Sequence, residues 1–361
     1  MNPPLVVKFG GDALATPERI AAAARRVALR RRSQPVVAVA SARRGITDHL
    51  LGLVEQVRDA APSPGAPLPD ALAASDRAVA SGELVAAALL AVALGQLGLR
   101  AVVLDAREAG LHTTGDAGGA SLTTLRPARL ERLLARGITP VVTGFQGWHR
   151  GRLTTLGRGG SDITAVALAG ALGADGCELV KDPGALHTAD PRLVADARPI
   201  ERATHRFVTE IALAGARVIH HLAASRAEHN GVRLRFTSLH GDGEPATDVG
   251  RATMEDAHMY AVVLGAGHRG LLPAAGDPPD VATVSLVTAA GVDETHRAAA
   301  AAALGAGGTG ALVLRTAHRP HAVGFLVPAA EGSRLLRTLH AVAAGTLAPA
   351  GLENRVHACH G

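Results

Sequence analysis

The stretch LTTLGRGGSDITAVALAGALGA, residues 153–174, decides how this chain reads. A glycine-rich turn at 157–160 runs straight into a helical pattern in which Ile163, Val166, Ala167 and Leu172 recur with a helix period. Ser161 or Asp162 can cap that helix, and its first free backbone N–H groups and positive dipole end then face the turn. Glycine lets a ligand come close to such a helix end, so the stretch can form an anion site; it also fits an ordinary βα turn. KFGGD, residues 8–12, repeats the arrangement after the apolar run 5–9. Two glycine-rich loops facing one crevice suit phosphates.

Outward from these loops, strand-like and helix-like runs alternate. Strands are expected over 5–9, 36–40, 101–104, 139–143, 177–180 and 232–236, and helices over 18–31, 82–97, 161–172 and 207–228. This order is the signature of an α/β fold. Several strands end in polar or glycine residues: 8–11, then Ser41, Gly144, Lys181 with Asp182, and Thr237 with Ser238. Open parallel sheets bind ligands outside the carboxyl ends of their strands, so one crevice could collect them all. Beyond Gly250 the texture changes, as Gly-, Ala- and Pro-rich stretches at 265–279 and 305–310 interrupt shorter β-like runs. A boundary near Ala252 therefore divides the chain into 1–251 and 252–361. The tail reads as strand 281–287, helix 294–304, strands 311–314 and 323–327 and helix 331–343, a small α+β ferredoxin-like unit.

With 361 residues, 47% of them hydrophobic, the chain can bury a sizeable core in about two domains. Only 2% are aromatic, so Leu, Val, Ile and Ala must build that core, and stacking platforms for single-stranded nucleic acid are nearly absent. The net charge of +5 is scattered, and its densest group, Arg25, Arg26, Arg30, Arg31 and Arg32, has the helical spacing of a solvated face. Two cysteines make no disulfide framework, which points to a reducing compartment, with Cys177 buried and inert. The start MNPPLVVKFGG has no cationic, apolar leader, and no run approaches the roughly 18 apolar residues of a membrane span. A cytoplasmic protein is expected. The 17 histidines invite a metal reading, but His220 with His221, and His357 with His360, lack partners at structural-zinc spacing, and no metal site is expected.

Of the 37 strong bases only two are lysine, Lys8 and Lys181, each at the end of a strand-like run. Where surface cations are written as arginine, retained lysines hint at sites needing a compact point charge.

In order and spacing, KFGG, SARRGITD (41–48), SGE (81–83), TTLGRGGSD (154–162), HTADPR (187–192) and GARVIHH (215–221) resemble the aspartate kinases of the amino acid kinase family. The likeness covers about residues 3–250; from Tyr260 on, VATVSLV and VGFLVPAAEGSRLLRTLHAV resemble a shortened ACT-type regulatory region more loosely. The resemblance implies a three-layer αβα sandwich with a mainly parallel central sheet, its N-terminal part binding an amino acid and its C-terminal part ATP. It also implies transfer of the γ-phosphoryl group of ATP to the side-chain carboxylate of aspartate, and a homodimer or larger assembly. A carboxylate is already ionised at neutral pH, so no general base is needed; the work is to bring two anions together and stabilise the moving phosphoryl group.

On this resemblance Lys8 stabilises the phosphoryl charge, with Gly10 and Gly11 supplying backbone N–H groups, and Asp162 orients Lys8 or the metal–nucleotide. Arg158 grips the substrate carboxylate with its fork, Glu83 opens an apolar, buried helix and pairs with the α-ammonium, and Ser41, Thr47 and Ser161 complete the substrate set. Lys181, Asp182, His187 and Arg192 join Gly10 and Gly11 at the nucleotide. The chain departs from the family pattern in three places. KDPGALHTADPR replaces a form close to TDVDGVYTADPR, so Lys181, Ala185 and His187 stand for Thr, Gly and Tyr. Asp12 replaces Thr beside the phosphate loop, where it would repel a triphosphate unless magnesium lies between them. A Lys expected after the strand 232–236 is missing: TSLH places Leu239 or His240 there, and Lys181, Arg235 or His240 could substitute. A kinase for another acidic amino acid, or a weakly catalytic relative that senses nucleotide or amino acid, stays open on these departures.

Overall fold

The computed structural model describes residues 2–60, 68–115, 117–241, 243–250, 259–266, 281–305 and 320–347. The strand expected over 311–314, the boundary at Ala252 and the His357–His360 pair lie outside these residues. In chain order the elements begin β1 (Leu5–Phe9), α1 (Pro17–Arg30), β2 (Val36–Ala40), α2 (Ile46–Ala60), α3 (Pro69–Gln96), β3 (Ala101–Leu104), β4 (Leu111–Thr114) and β5 (Ser121–Leu125). Next come α4 (Ala128–Ala135), β6 (Thr139–Thr143), β7 (Gln146–His149), β8 (Arg152–Thr155), α5 (Gly160–Ala171), β9 (Gly176–Lys181), β10 (Leu186–His187), β11 (Pro199–Ile200) and β12 (Arg202–Thr204). The rest are α6 (His205–Leu213), α7 (His221–His229), β13 (Leu234–Ser238), β14 (Thr247–Gly250), β15 (Tyr260–Ala266), β16 (Val281–Thr288), α8 (Glu294–Gly305), β17 (Ala322–Pro328) and α9 (Gly332–Leu347).

The chain divides into two compact units, Met1–Ala185 with Leu222–Asp248, and Leu186–His221 with Val249–Gly361. In the first unit six strands run parallel in the order β13-β9-β1-β2-β6-β3. All residues of β1 and β2 are buried, as continuous apolar strands covered on both faces must be. The chain leaves β1 toward β2 on one side and leaves β9 toward β13 on the other, so the strand order reverses between β1 and β9 and a crevice opens at their carboxyl ends. A second sheet, β5-β4-β7-β8, is built from short Thr-rich strands that carry no long apolar signal in the sequence.

Helix α1 begins as its sequence dictates: the Thr16 hydroxyl accepts the Arg19 N–H at 3.3 Å, Pro17 occupies the first turn and Glu18 faces the dipole. Its arginine group is only partly the solvated face the spacing suggests: Arg25 and Arg32 are exposed, and the other three turn inward. Arg26 is buried and pairs with Glu178 of β9, Arg30 Nε reaches the same carboxylate at 2.8 Å, and Arg31 donates to Thr139 Oγ1 at 2.7 Å. The arginines staple α1 to β9 and to β6.

Helix α3 also departs from expectation. It starts at Pro69, so Glu83 lies in its middle, and by length and composition it could cross a bilayer, unlike what the run lengths indicate. One face, including Asp76, Val79, Glu83, Ala87, Leu90 and Leu94, is buried against α1, β6 and β8, while Leu84, Val85 and Val92 on the other are about half exposed or more. A helix apolar all round has little amphipathic signal to say which face turns inward.

In the second unit, β15-β16-β17 form an antiparallel sheet backed by α8 and α9. The strand Tyr260–Ala266 adds an edge that the sequence reading leaves out. A shared core joins this sheet and α9 to the earlier segment, with Ala189 and Val194 packed among Tyr260, Val262, Leu335, Leu336 and Leu339. The helix expected over 207–228 is two, α6 and α7, separated by a turn in which Gly215 takes φ +110°.

Candidate active site

Lys8 leaves the buried strand β1 with its side chain 7% exposed, and its Nζ lies 2.7 Å from Asp162 Oδ1. Asp162 does not cap α5. The N-cap is Gly159, left-handed at φ +76° and without a side-chain cap bond, and the Asp162 carboxylate turns toward β1. The second lysine arrives from the neighbouring strand: Lys181, at the end of β9, places Nζ 3.9 Å from Asp162 Oδ2. The only two lysines of the chain thus flank the two oxygens of one carboxylate. Burial lowers the Lys181 ammonium to about 8, with Asp162 opposing the change and Lys8 adding to it.

Beside this group is a pocket of about 540 Å³ lined by Lys8, Ser41, Thr47, Glu83, Arg158, Ser161 and Asp162. The whole substrate set read from the sequence, with both proposed catalytic residues, is therefore brought together. Glu83 reaches it from the middle of α3, its Oε1 accepting the Ala42 N–H at 3.1 Å while its buried Oε2 has no hydrogen-bond partner. Burial raises the Glu83 carboxyl to about 7, partly offset by the Ala42 N–H and by Lys8. An unsatisfied buried carboxylate oxygen is costly, and an ammonium ion is the kind of group that satisfies it. From α2 and α3 the lining also takes Leu51, Val54, Leu72 and Val79, interleaved with Asp48, Glu55, Arg58 and Ser75.

Close packing holds the pocket loops. Phe145, at φ +69°, bonds through its carbonyl to the Leu156 N–H at 2.8 Å, and a Cβ on Gly144 would lie 2.7 Å from the Ser161 side chain. Asp76, missed in the sequence, also lines the pocket. Its Oδ2 accepts the N–H groups of Gly118 at 3.0 Å and Thr155 at 2.9 Å, and its Oδ1 accepts the Thr155 hydroxyl at 2.9 Å. The one available clue was an acid seven residues, about two helical turns, before Glu83.

The residues read as nucleotide contacts are less unified. A Cβ on Gly11 would meet the Ala42 carbonyl at 2.8 Å, so this position needs glycine, whereas the Gly10 N–H already donates to the Val180 carbonyl at 3.3 Å. Asp182 pairs with Arg19 at 3.0 Å. His187 and Arg192 belong to the second unit, where Arg192 grips Asp190 with Nε and an Nη, at 3.0 and 2.7 Å, and His187 pairs with Pro199 across β10 and β11. Asp12, the unusual acid, forms a 2.9 Å ion pair with Arg44, which offsets its charge. Of the possible stand-ins for the missing lysine, Arg235 pairs with Asp248 at 3.5 Å, and the His240 N–H bonds to Ser238. Among the described residues no group of three or more His, Cys, Asp or Glu side chains converges as metal ligands do.

Comparison with known proteins bears on the family and the fold. The model of the amino acid kinase family matches residues 3–238. An aspartokinase of Mycobacterium bovis is 37% identical over 263 residues, covering 72% of this chain and 60% of that protein. One of Thermus thermophilus is 36% identical over 267 residues, 73% of this chain and 64% of its own length. The chain thus spans less than two thirds of the curated relatives it matches. Among solved structures, Escherichia coli aspartokinase III in complex with aspartate and ADP superposes with a TM-score of 0.74 at 20% identity, covering 94% of this chain and 99% of that one. The aspartate kinase of Synechocystis gives 0.59 at 25% identity, with 96% and 70% covered.

Proposed function

Since the chain belongs to the amino acid kinase family, we propose that it transfers the γ-phosphoryl group of ATP to the side-chain carboxylate of L-aspartate, giving 4-phospho-L-aspartate. The observation that carries this reading is the pocket in which Glu83, with an unpartnered buried oxygen, and Arg158 line the same cavity as the Lys8–Asp162 pair. An acidic α-amino acid fits those charges: ammonium to Glu83 and carboxylate to Arg158. Its second carboxylate then lies toward Lys8, which stabilises negative charge on the phosphoryl group in transit. Lys181 is the best stand-in for the missing lysine, because it alone of the three candidates approaches Asp162. Magnesium would come with the triphosphate, since this ion is usually held by one or two carboxylates plus substrate phosphates. The aspartokinase relatives and the E. coli complex with aspartate and ADP support this choice of substrates. By the same analogy the ACT-like tail is a regulatory and pairing element of a cytoplasmic homo-oligomer.

A second acceptor, a longer or substituted acidic amino acid, is favoured by one observation, the apolar side chains of Leu51, Val54, Leu72 and Val79 in the pocket lining. Both are tested by hydroxamate formation from ATP, magnesium and hydroxylamine with a panel of acids. Product with aspartate supports the first reading, and product only with a bulkier acid supports the second. No acyl phosphate from any acid would remove the kinase assignment. Lys8→Ala should lower kcat at least about a hundredfold while the protein stays folded.

A further inference from the structure

The geometry points to Asp76 as a positioning residue that sets the distance between Glu83 and Arg158, and hence the fit of the amino acid; this rests on the substrate reading above. Asp76 is 4% exposed, yet its charge is not matched by a lysine or arginine in any ion pair among the described residues; three dipoles meet it instead. They come from two other segments, the turn before β5 through Gly118 and the end of β8 through Thr155. Thr155 is held on both sides, since its carbonyl accepts the Ala120 N–H at 2.9 Å. Two residues beyond it begins the loop that carries Arg158 between left-handed Gly157 and Gly159. Such a loop has few conformational restraints of its own, so its root decides where the guanidinium stands.

The other end of the ruler is α3. Seven residues separate Asp76 from Glu83, about two helical turns or roughly 10 Å along one face. A rigid helix therefore carries the ammonium-binding carboxylate at one point and, at the other, the clamp on the root of the carboxylate-binding loop. A ligand touching both groups reads their separation, and ATP contacts need not.

Asp76→Asn keeps the shape but turns an amide N–H toward donors. The KM for aspartate should rise at least about tenfold, with the KM for ATP changed less than about twofold. Thr155→Val, a milder change in case Asp76→Asn folds poorly, removes one bond and should raise the aspartate KM about two- to fivefold, while Thr155→Ser restores it. An unchanged aspartate KM in folded Asp76→Asn, or equal rises in both KM values, would overturn the inference. If the wild type proves inactive with every acid, the substrate reading falls separately. The clamp is then read by amide exchange at 157–160, which should quicken at least about tenfold in Asp76→Asn and whose constancy would refute it.

Discussion

A single carboxyl group links acidity, stability and substrate binding in this protein. Glu83 titrates at about 7 in the folded chain against an ordinary value of 4.5. Between those two values the folded state keeps a proton that the unfolded chain releases, so stability falls as pH rises from about 4.5 to 7, by up to about 3 kcal/mol. Glu83→Gln keeps an acceptor for the Ala42 N–H and removes the buried charge. Its melting temperature should exceed that of the wild type at pH 8 and match it near pH 4.5, as scanning calorimetry would show. Only ionised Glu83 attracts an ammonium ion, so the wild-type KM for aspartate should climb as pH falls below about 7. A flat KM across that range would separate Glu83 from the substrate. Lys8 and Asp162 were legible in the sequence because each adjoins a glycine-rich turn, Lys8 at the end of β1 and Asp162 at the start of α5. Asp76 was not, since its partners are mainly backbone donors brought from Gly118 and Thr155, more than 40 residues away in the chain.

Among elements, the end of β6 packs tightly on the start of α5. A Cβ at Gly144 would press on the Ser161 side chain at 2.7 Å and on its Cα at 3.0 Å. Gly144→Ala should therefore cost about 1–3 kcal/mol by denaturant titration and weaken amino acid binding by shifting the start of α5. Gly45, where nothing lies within 4 Å but φ is +77°, would show the cost of backbone strain alone. Most of the parallel strands were readable because they carry a short continuous apolar run, while β13 alternates as Leu234, Arg235, Phe236. Helix α2 was not, although Ile46, Leu50, Val54 and Val57 recur at helical spacing; none of its residues is buried in the core. The start of α3 was hidden for another reason: PDALAASDRA is short of large apolar side chains, though alanine and leucine favour a helix.

At the scale of the molecule, the C-terminal sheet is part of the fold rather than a detachable tail. Ala189 and Val194 share its core, and the hydroxyl of Thr188, in the HTADPR segment, lies 2.9 Å from Nε2 of buried His340 on α9. Truncation after Gly250 would expose that face, and hydrogen exchange across 186–221 should accelerate at least about tenfold relative to the full chain. Equal protection in the two would make the tail dispensable. The sequence marks a change of texture near Ala252, but it does not reveal that the HTADPR segment packs with the C-terminal sheet and α9, because such contacts join residues about 150 positions apart. The chain's bias toward arginine has a chemical corollary. Reagents that acylate primary amines find only two side-chain targets in 361 residues, and both flank Asp162. Arginine is inert to them. With Lys181 brought down to about 8, its free amine is well populated just above neutrality, which makes amine labelling a direct chemical report on whether this one carboxylate and its neighbours are covered.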